Sequence, residues 1–315
     1  MRAIVTRLRK DEQREKVLVS DRPAPPAPKG NEVQCKALFT GITNGTERND
    51  LIRGNYAHRD EDLPAGWGYQ NVARVVRLGP EAKELRKGDV IFASADHVER
   101  FNIREDGLLV KLAPEVSPQH AALFGMAGVA THCCRRLDLR MGERLLIVGL
   151  GCIGQFAAQI ATHMGARVTA CDVNEKRLRI ARKIGAAEQV FNPAGSGWKD
   201  SLRDFSFDAV MDVAGVPDMV DALIGAVRNR GRVLLVAGRF DVKYTFNLGQ
   251  WHEVGIMQSS HFSRDDLDNL CRLVAGGRVK IGPIVTRVVA AKGAKRIYDT
   301  LRDEPHKLMG TVFEW

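Results

Sequence analysis

Aromatic residues are scarce, at 6% of 315 residues (12 Phe, 4 Trp and 4 Tyr), which is lean for a protein that stacks on bases or sugars at many points. Cysteine is also sparse. The six, at 35, 133, 134, 152, 171 and 271, include no C-x-x-C pair, which excludes a zinc knuckle and a disulfide scaffold. Long apolar runs are missing: the longest, Leu145 to Ala161, is broken by Gln155 and again by Gln159, too short and too polar for a membrane span. Met1 leads straight into the strand-like RAIVTRL, with no apolar leader core. These absences lead us to expect a soluble protein of the reducing cytoplasm, with no membrane partner.

Charge is plentiful but mixed. Lys and Arg number 47 against 38 Asp and Glu, a formal +9, yet the signs alternate, as in RKDEQREK (9–16) and DVNEKR (172–177). We read this as a solvated mixed-charge surface rather than a phosphate-tracking stripe, and the sparse interleaving of aromatic with basic residues argues against nucleic acid. The 44% hydrophobic content suffices for a buried core, and the length suggests two domains at roughly 150 residues each.

The first third reads as β-rich. Val33, Cys35, Ala37 and Phe39 alternate along Glu32 to Phe39, as in a half-buried strand; the proline-rich DRPAPPAPKG (21–30) before it reads as a stiff surface connection. Further short strands are expected in GYQNVARVVRLG (68–79), KGDVIFAS (87–94), VERFNI (98–103) and GLLVKLA (107–113), a barrel-like set. After Pro118 the rhythm changes to a helix over 119–137 and then to strands alternating with helices. The strands are RLLIVGL, ARVTACD, EQVF, FDAVMDV and GRVLLVAG, and the helix after FDAVMDV is expected over 217–229. These strands are apolar nearly throughout, as parallel strands covered on both faces must be, so an α/β doubly wound domain is expected. A helix at 265–275 and a final strand, MGTVFEW (309–315), follow it.

Gly149-Leu150-Gly151-Cys152-Ile153-Gly154 has the G-x-G-x-x-G spacing between an apolar strand and a helix, the context a dinucleotide site requires. Gly149 permits the turn, Gly151 lets the backbone approach a pyrophosphate, and Gly154 lets the helix pack on the strand. The helix start offers N–H groups, with Cys152 and Ile153 in its first turn, and a positive dipole end to phosphates. Asp172, 18 residues on and ending the second strand, is placed to accept hydrogen bonds from the ribose hydroxyls. It predicts NAD(H) over NADP(H), a preference that Arg177 blunts without abolishing, so NADP(H) stays possible.

With these residues in hand the chain resembles a medium-chain dehydrogenase/reductase, the alcohol dehydrogenase superfamily, over essentially its full length. GYQNVARVVRLGPEAKELRKGDVIF (68–92) resembles the family's G-H-E segment through its G-D-x-V. AGVATHCC (127–134) resembles the helix entering the cofactor domain, and DVAGVPDMVDALIGAVRNRGRVLLVAG (212–238) its fourth and fifth strands. The resemblance implies a GroES-like β-barrel catalytic domain, 1–127 and 259–315, plus a Rossmann doubly wound parallel sheet, 128–258. It also implies a homodimer joined along the edge of the cofactor-domain sheet. In cofactor binding it implies Thr131 beside the nicotinamide, with Ala237, Gly238 and Ser259 along the nicotinamide half.

The departures point to a missing metal. Where zinc-dependent members carry a Cys, Gly41-Ile42-Thr43-Asn44-Gly45-Thr46-Glu47 offers Asn44 or Thr43; where they carry His-Glu, Gly68-Tyr69-Gln70 offers Tyr and Gln; and Leu123-Phe124-Gly125-Met126 offers no ligand. Asn, Tyr and Gln do not make a tetrahedral zinc site, and the four-Cys structural lobe is absent, so no zinc is expected. A replacement site from His58, Asp60, His97 and Glu99 follows no known spacing. The G-I-T-N-G-T-E segment, G-Y for G-H and the Phe-Glu-Trp ending resemble the short zinc-less branch that includes bacteriochlorophyllide a dehydrogenase, which oxidises a secondary hydroxyethyl group to an acetyl.

The expected activity is therefore zinc-independent, NAD(H)-dependent interconversion of a secondary alcohol and a ketone, or an aldehyde, on a specialised small-molecule metabolite. The resemblance matches Thr46 to the family's relay hydroxyl and sets Tyr69 where a zinc-binding His would point into the cleft, so Tyr69 is the candidate oxyanion donor or general acid and Thr46 its relay partner; the alternatives are a packed core tyrosine and a turn-stabilising hydroxyl. Glu47 is a base only if burial raises its pKa, and otherwise an exposed salt-bridging group. Asn44 and Gln70 are candidate substrate contacts, and Trp67 either caps a ring substrate or fills the barrel core. The alternatives are an NAD(P)H-dependent reductase of conjugated C=C bonds or quinones, and a non-catalytic cofactor-binding regulator.

Overall fold

A computed structural model describes residues 1–194 and 207–315. The chain forms two units: Met1–Gly125 with Ser263–Gly277 and Val285–Trp315, and Met126–Phe262 with Arg278–Ile284. The chain thus returns to the second unit at 278–284 after leaving it, a detour that the simpler division at 259 does not contain.

The first unit begins with β1 (Ala3–Leu8), β2 (Arg14–Val19), β3 (Glu32–Gly41), α1 (Asn44–Leu51), β4 (Ala65–Gly66) and β5 (Asn71–Leu78). It continues through β6 (Val90–Ala93), β7 (Arg100–Arg104), β8 (Leu109–Lys111) and α2 (Pro118–Ala121). α3 (Phe124–Arg136) follows, so the helix expected over 119–137 is two, broken at residues 122–123. In the second unit come β9 (Arg144–Val148), α4 (Cys152–His163), β10 (Arg167–Cys171), α5 (Glu175–Ile184), β11 (Gln189–Phe191), β12 (Phe207–Asp212), α6 (Val220–Ala226), β13 (Val227–Leu235), α7 (Phe246–Trp251) and β14 (Gly255–Gln258). The helix expected through 229 stops at Ala226, because Val227 is already extended and pairs with Phe207. α8 (Arg264–Ala275), β15 (Val285–Ala290), α9 (Ala294–Asp303) and β16 (Gly310–Glu314) return to the first unit.

Two sheets build the first unit. One is β2-β1-β4. The other runs β15-β16-β3-β5-β6-β8, with β7 also paired to β3, and is antiparallel except for the β15–β16 pair. The alternation read along β3 holds as far as Ala37: Val33, Cys35 and Ala37 are buried, the first two packing with Val75, Ile91 and Phe101, but a register shift between Ala37 and Phe39 leaves Phe39 half-buried and Thr40 buried. The second unit is one parallel sheet, β11-β10-β9-β12-β13-β14. This is the 3-2-1-4-5-6 order of dinucleotide-binding folds, whose switch point lies between β9 and β12. Leu146, Val148, Val210, Leu223 and Val233 form a core of that unit. Among the described residues no helix is long and apolar enough to cross a membrane.

Candidate active site

The glycine turn of the second unit leaves β9 and opens α4. Gly149 has φ +100°, a left-handed conformation that favours glycine. A Cβ on Gly154 would lie 1.9 Å from the Gly149 carbonyl oxygen, whereas one on Gly151 would meet nothing within 4 Å. The third glycine lets helix and turn touch, and the second faces open space, where the backbone can be approached closely. Cys152 begins α4 and is buried, and burial pushes its thiol up to about 12. Ile153 follows it, half-buried.

Asp172 lies directly after β10. One carboxylate oxygen accepts from the Leu150 backbone N–H (2.7 Å) and pairs with Arg177 Nη1 (3.3 Å); the other accepts from the Asn174 N–H (2.8 Å). Asp172 therefore braces the glycine turn against the end of the neighbouring strand, a role the sequence reading did not give it. Across the switch point, Asp212 plays a similar part that sequence reasoning missed. Fully buried, it accepts from the Ala214 and Gly215 N–H groups and from Arg239 Nη2 (2.6 Å). Gly149 packs against Ala214, so this loop walls the turn. Ala237 is half-buried and Gly238 exposed just beyond β13; Ala237 N–H donates to the Asp212 carbonyl at 3.3 Å. Thr131 is buried within α3, donating to the Ala127 carbonyl (2.9 Å), and Ser259 accepts from the Cys133 thiol (3.5 Å).

In the first unit, α1 carries Asn44, Thr46 and Glu47. Glu47 is not exposed. It is fully buried, with Oε1 accepting from the Thr43 N–H (2.6 Å), Oε2 from the Tyr298 hydroxyl (2.5 Å), and His97 Nε2 lying 3.2 Å from both oxygens. Burial alone would push its carboxyl up. His97 (by charge and hydrogen bond), Lys16 and Tyr298 outweigh that and hold the carboxyl below its usual range. The condition for a Glu47 base is thus not met: the shift runs the wrong way and both oxygens are occupied.

Tyr69 is half-buried, and its ring edge fills the space beside Gly125, where an added Cβ would come within 2.8 Å of Cδ2 and Cε2. No third-ligand side chain has room there. Gln70 is buried, with its amide donating to the Gly41 carbonyl (3.1 Å) and to Thr43 Oγ1 (3.4 Å). It ties the segment before β5 to the start of α1 instead of facing a substrate. Asn44 Nδ2 donates to the Leu308 carbonyl (3.4 Å), and its buried Oδ1 has no partner among the described residues. Thr46 is half-buried on the same helix. Asn, Tyr and Gln, so engaged, do not form a zinc donor set, and among the described residues no group of three or more His, Cys, Asp or Glu is placed to hold a metal ion.

The acidic-basic segment 9–16, read from sequence as solvated, ends in a buried network. Arg14, Glu15 and Lys16 are buried on β2. Lys16 Nζ donates to Thr6 Oγ1 (2.8 Å) and Asp50 Oδ2 (2.9 Å), and Arg14 Nη1 to Asp50 Oδ1 (3.1 Å). Arg14 also pairs with Asp60 (2.6 Å), while His58 donates its backbone N–H to Asp50 (3.1 Å). Burial raises the Asp50 carboxyl, but the Lys16 charge and the hydrogen bonds from Thr6, Lys16 and His58 bring it down to about 2. Half-buried Trp67 packs on this network, with His58 edge-on at 4.3 Å and Lys16 Nζ 5.6 Å from its ring centroid.

A sheet of 3-2-1-4-5-6 order with a braced glycine turn, joined in one chain to a largely antiparallel unit, defines a two-part architecture of the dinucleotide-binding kind. A family model described as "Zinc-binding dehydrogenase" matches residues 152–276. L-threonine 3-dehydrogenase of Burkholderia cenocepacia (strain HI2424) is 27% identical over 300 residues, covering 83% of this chain and 86% of the relative. An NAD-dependent alcohol dehydrogenase superposes with a TM-score of 0.84 at 22% identity, covering all of both chains. The 2R,3R-butanediol dehydrogenase of Bacillus subtilis does so at 0.84 and 16%, covering 100% of this chain and 99% of that one. These likenesses support a place for the chain among the alcohol dehydrogenase type of oxidoreductases, the medium-chain dehydrogenase/reductase superfamily.

Proposed function

We propose that this chain is a zinc-independent, NAD(H)-dependent oxidoreductase that interconverts a secondary alcohol and a ketone on a specialised small-molecule metabolite, in the cytoplasm. The observation that carries the reading is the placement of Tyr69. Its ring occupies the room beside Gly125, and the neighbouring Gln70 amide is spent on Gly41 and Thr43, which supports reading a tyrosine and an amide, and not metal ligands, at the two positions that the resemblance matches to His-Glu. A bound nicotinamide supplies the hydride exchange. In the reducing direction the Tyr69 hydroxyl gives its proton to the substrate oxygen as charge develops there and is reprotonated through Thr46; in the oxidising direction both transfers reverse. Gly149, Gly151 and Gly154 with the start of α4 hold the pyrophosphate, and Asp172 takes the ribose.

Arg177 favours a second reading at one point. Pairing with Asp172 at 3.3 Å, it partly offsets the charge that would repel a 2′-phosphate, which supports an NADP(H)-using reductase of conjugated C=C bonds or quinones as the alternative. The exposed outer strand β14, preceded by exposed Phe240 (76%), Phe246 (64%) and Trp251 (76%), supports a homodimer formed along that edge.

Two substitutions test the assignment. Tyr69→Phe is expected to lower turnover of NAD+ with a panel of secondary alcohols by on the order of 100-fold, followed by nicotinamide absorbance; an unchanged rate makes Tyr69 a packing residue. Asp172→Ala is expected to weaken NAD+ binding about tenfold more than NADP+ binding, by calorimetry. Since the carboxylate also braces Leu150, both affinities fall, and the ratio is the readout. Equal losses remove the ribose assignment.

A further inference from the structure

Sequence reasoning weighed His97 only as a stray metal ligand, yet it lies where the two candidate reactive segments of the first unit meet. Its backbone N–H donates to the Trp67 carbonyl (3.1 Å), and its ring packs so closely on Gly68 that an added Cβ there would come within 2.8 Å of Cδ2. On its other side, Nε2 reaches both oxygens of Glu47, the residue after Thr46 on α1. Edge-on contacts from Tyr298 (6.5 Å between ring centroids) and Phe313 (5.9 Å) fix the ring plane. An ionised carboxylate only accepts hydrogen bonds, so Nε2 carries the hydrogen. Nδ1 meets no partner among the described residues, so the ring is held from one nitrogen.

We infer that His97 is a positioning residue for the reaction: through its hydrogen bond to Glu47 and its packing on Gly68, it fixes the Thr46 helix and the Gly68-Tyr69 turn in one register. The inference rests on the reading that Thr46 and Tyr69 act on the substrate. Glu47 serves as the clamp's second half, itself held by Tyr298 and the Thr43 N–H. A displacement of about 1 Å at reacting groups costs on the order of 100-fold in rate, so a clamp of this kind acts on kcat.

The test compares His97→Leu, which removes the donor, with His97→Gln, whose amide N–H can still reach Glu47. His97→Leu should lower kcat about 100-fold while leaving KM for NAD+ and calorimetric NADH affinity unchanged, and His97→Gln should recover most of the rate. With only four tyrosines in the chain (56, 69, 244 and 298), 3-fluorotyrosine labelling gives a readout independent of turnover, Tyr69→Phe assigning the signal. The Tyr69 fluorine resonance should move in His97→Leu and return in His97→Gln. Failure of the parent reading looks different: Thr46→Ala and Tyr69→Phe would keep full turnover, or no alcohol would react, and the fluorine spectrum alone then decides. A resonance unmoved in His97→Leu, or equal kcat losses in the Leu and Gln variants, overturns the inference.

Discussion

Asp50→Ala is expected to destabilise the first unit by about 3–5 kcal/mol, a large share of the 5–15 kcal/mol that typically holds a domain together. The reason is the company Asp50 keeps. It is fully buried and, among the described residues, is the sole carboxylate bonded to Lys16 Nζ, itself 1% exposed, and it shares Arg14 with Asp60. Removing it leaves a buried ammonium hydrogen-bonded to the Thr6 hydroxyl, with the Trp67 and Tyr298 rings beside it but no bonded carboxylate among the described residues. Asp50→Asn keeps an acceptor and should lose less. The pH dependence follows from the depressed carboxyl, about 2 when folded against an ordinary 3.8. A carboxyl lowered by folding stabilises above its ordinary pKa, and that contribution, about 2 kcal/mol, disappears as pH falls through the folded value. The stability gap between the native chain and Asp50→Asn, measured by urea unfolding, should narrow from pH 3.8 towards 2. A constant gap would remove Asp50 as the ionised centre of the network.

Substituting Gly154 should abolish dinucleotide binding almost entirely. An added Cβ would lie 1.9 Å from the Gly149 carbonyl oxygen and 3.2 Å from Val213 Cγ2, and the first of these is backbone that cannot rotate aside. Overpacking of this kind costs about 1–3 kcal/mol or more. Here it also levers α4 away from the turn it completes. Gly154→Ala is expected to reduce NADH affinity about 100-fold by calorimetry and to lower the melting temperature; Gly154→Val should bind none measurably. Gly151→Ala provides the contrast, since nothing lies within 4 Å of its Cβ position. It should melt like the native chain and lose affinity only. Equal melting temperatures for all three would contradict the packing argument.

How legible the molecule is from its sequence depends on whether a feature is local. The apolar strand from Arg144, the three glycines and Asp172 lie within 29 residues, and each has its own chemical signature, so this unit can be read in one pass. The alternation of Val33, Cys35 and Ala37 exposes β3 in the same way. The buried charges are another matter. Arg14-Glu15-Lys16 has the pattern of a solvated surface, and only the fold reveals that Asp50, 34 residues beyond Lys16, waits to pair with it. The Tyr298–Glu47 bond joins positions 251 apart, and no periodicity announces it. Glu47 was noticed as a carboxylate beside Thr46 but given the wrong surroundings, because burial and partners are properties of the assembled barrel. Within the described residues Asp212 is similar: its position at a strand end is visible, but its grip on Arg239 is not.

The placement of β16 has a consequence for how the chain comes together on the ribosome. β16 sits between β15 and β3, and α9 carries Tyr298 to Glu47, so a unit begun at Met1 is closed only by residues after 285. The second unit is largely contained in 126–262 and can close while the earlier one is still missing its last strands. Vectorial synthesis ordinarily lets the leading domain fold first; this topology predicts the reverse order, with Lys16, Arg14 and Asp50 hydrated until the tail of the chain arrives to dry them.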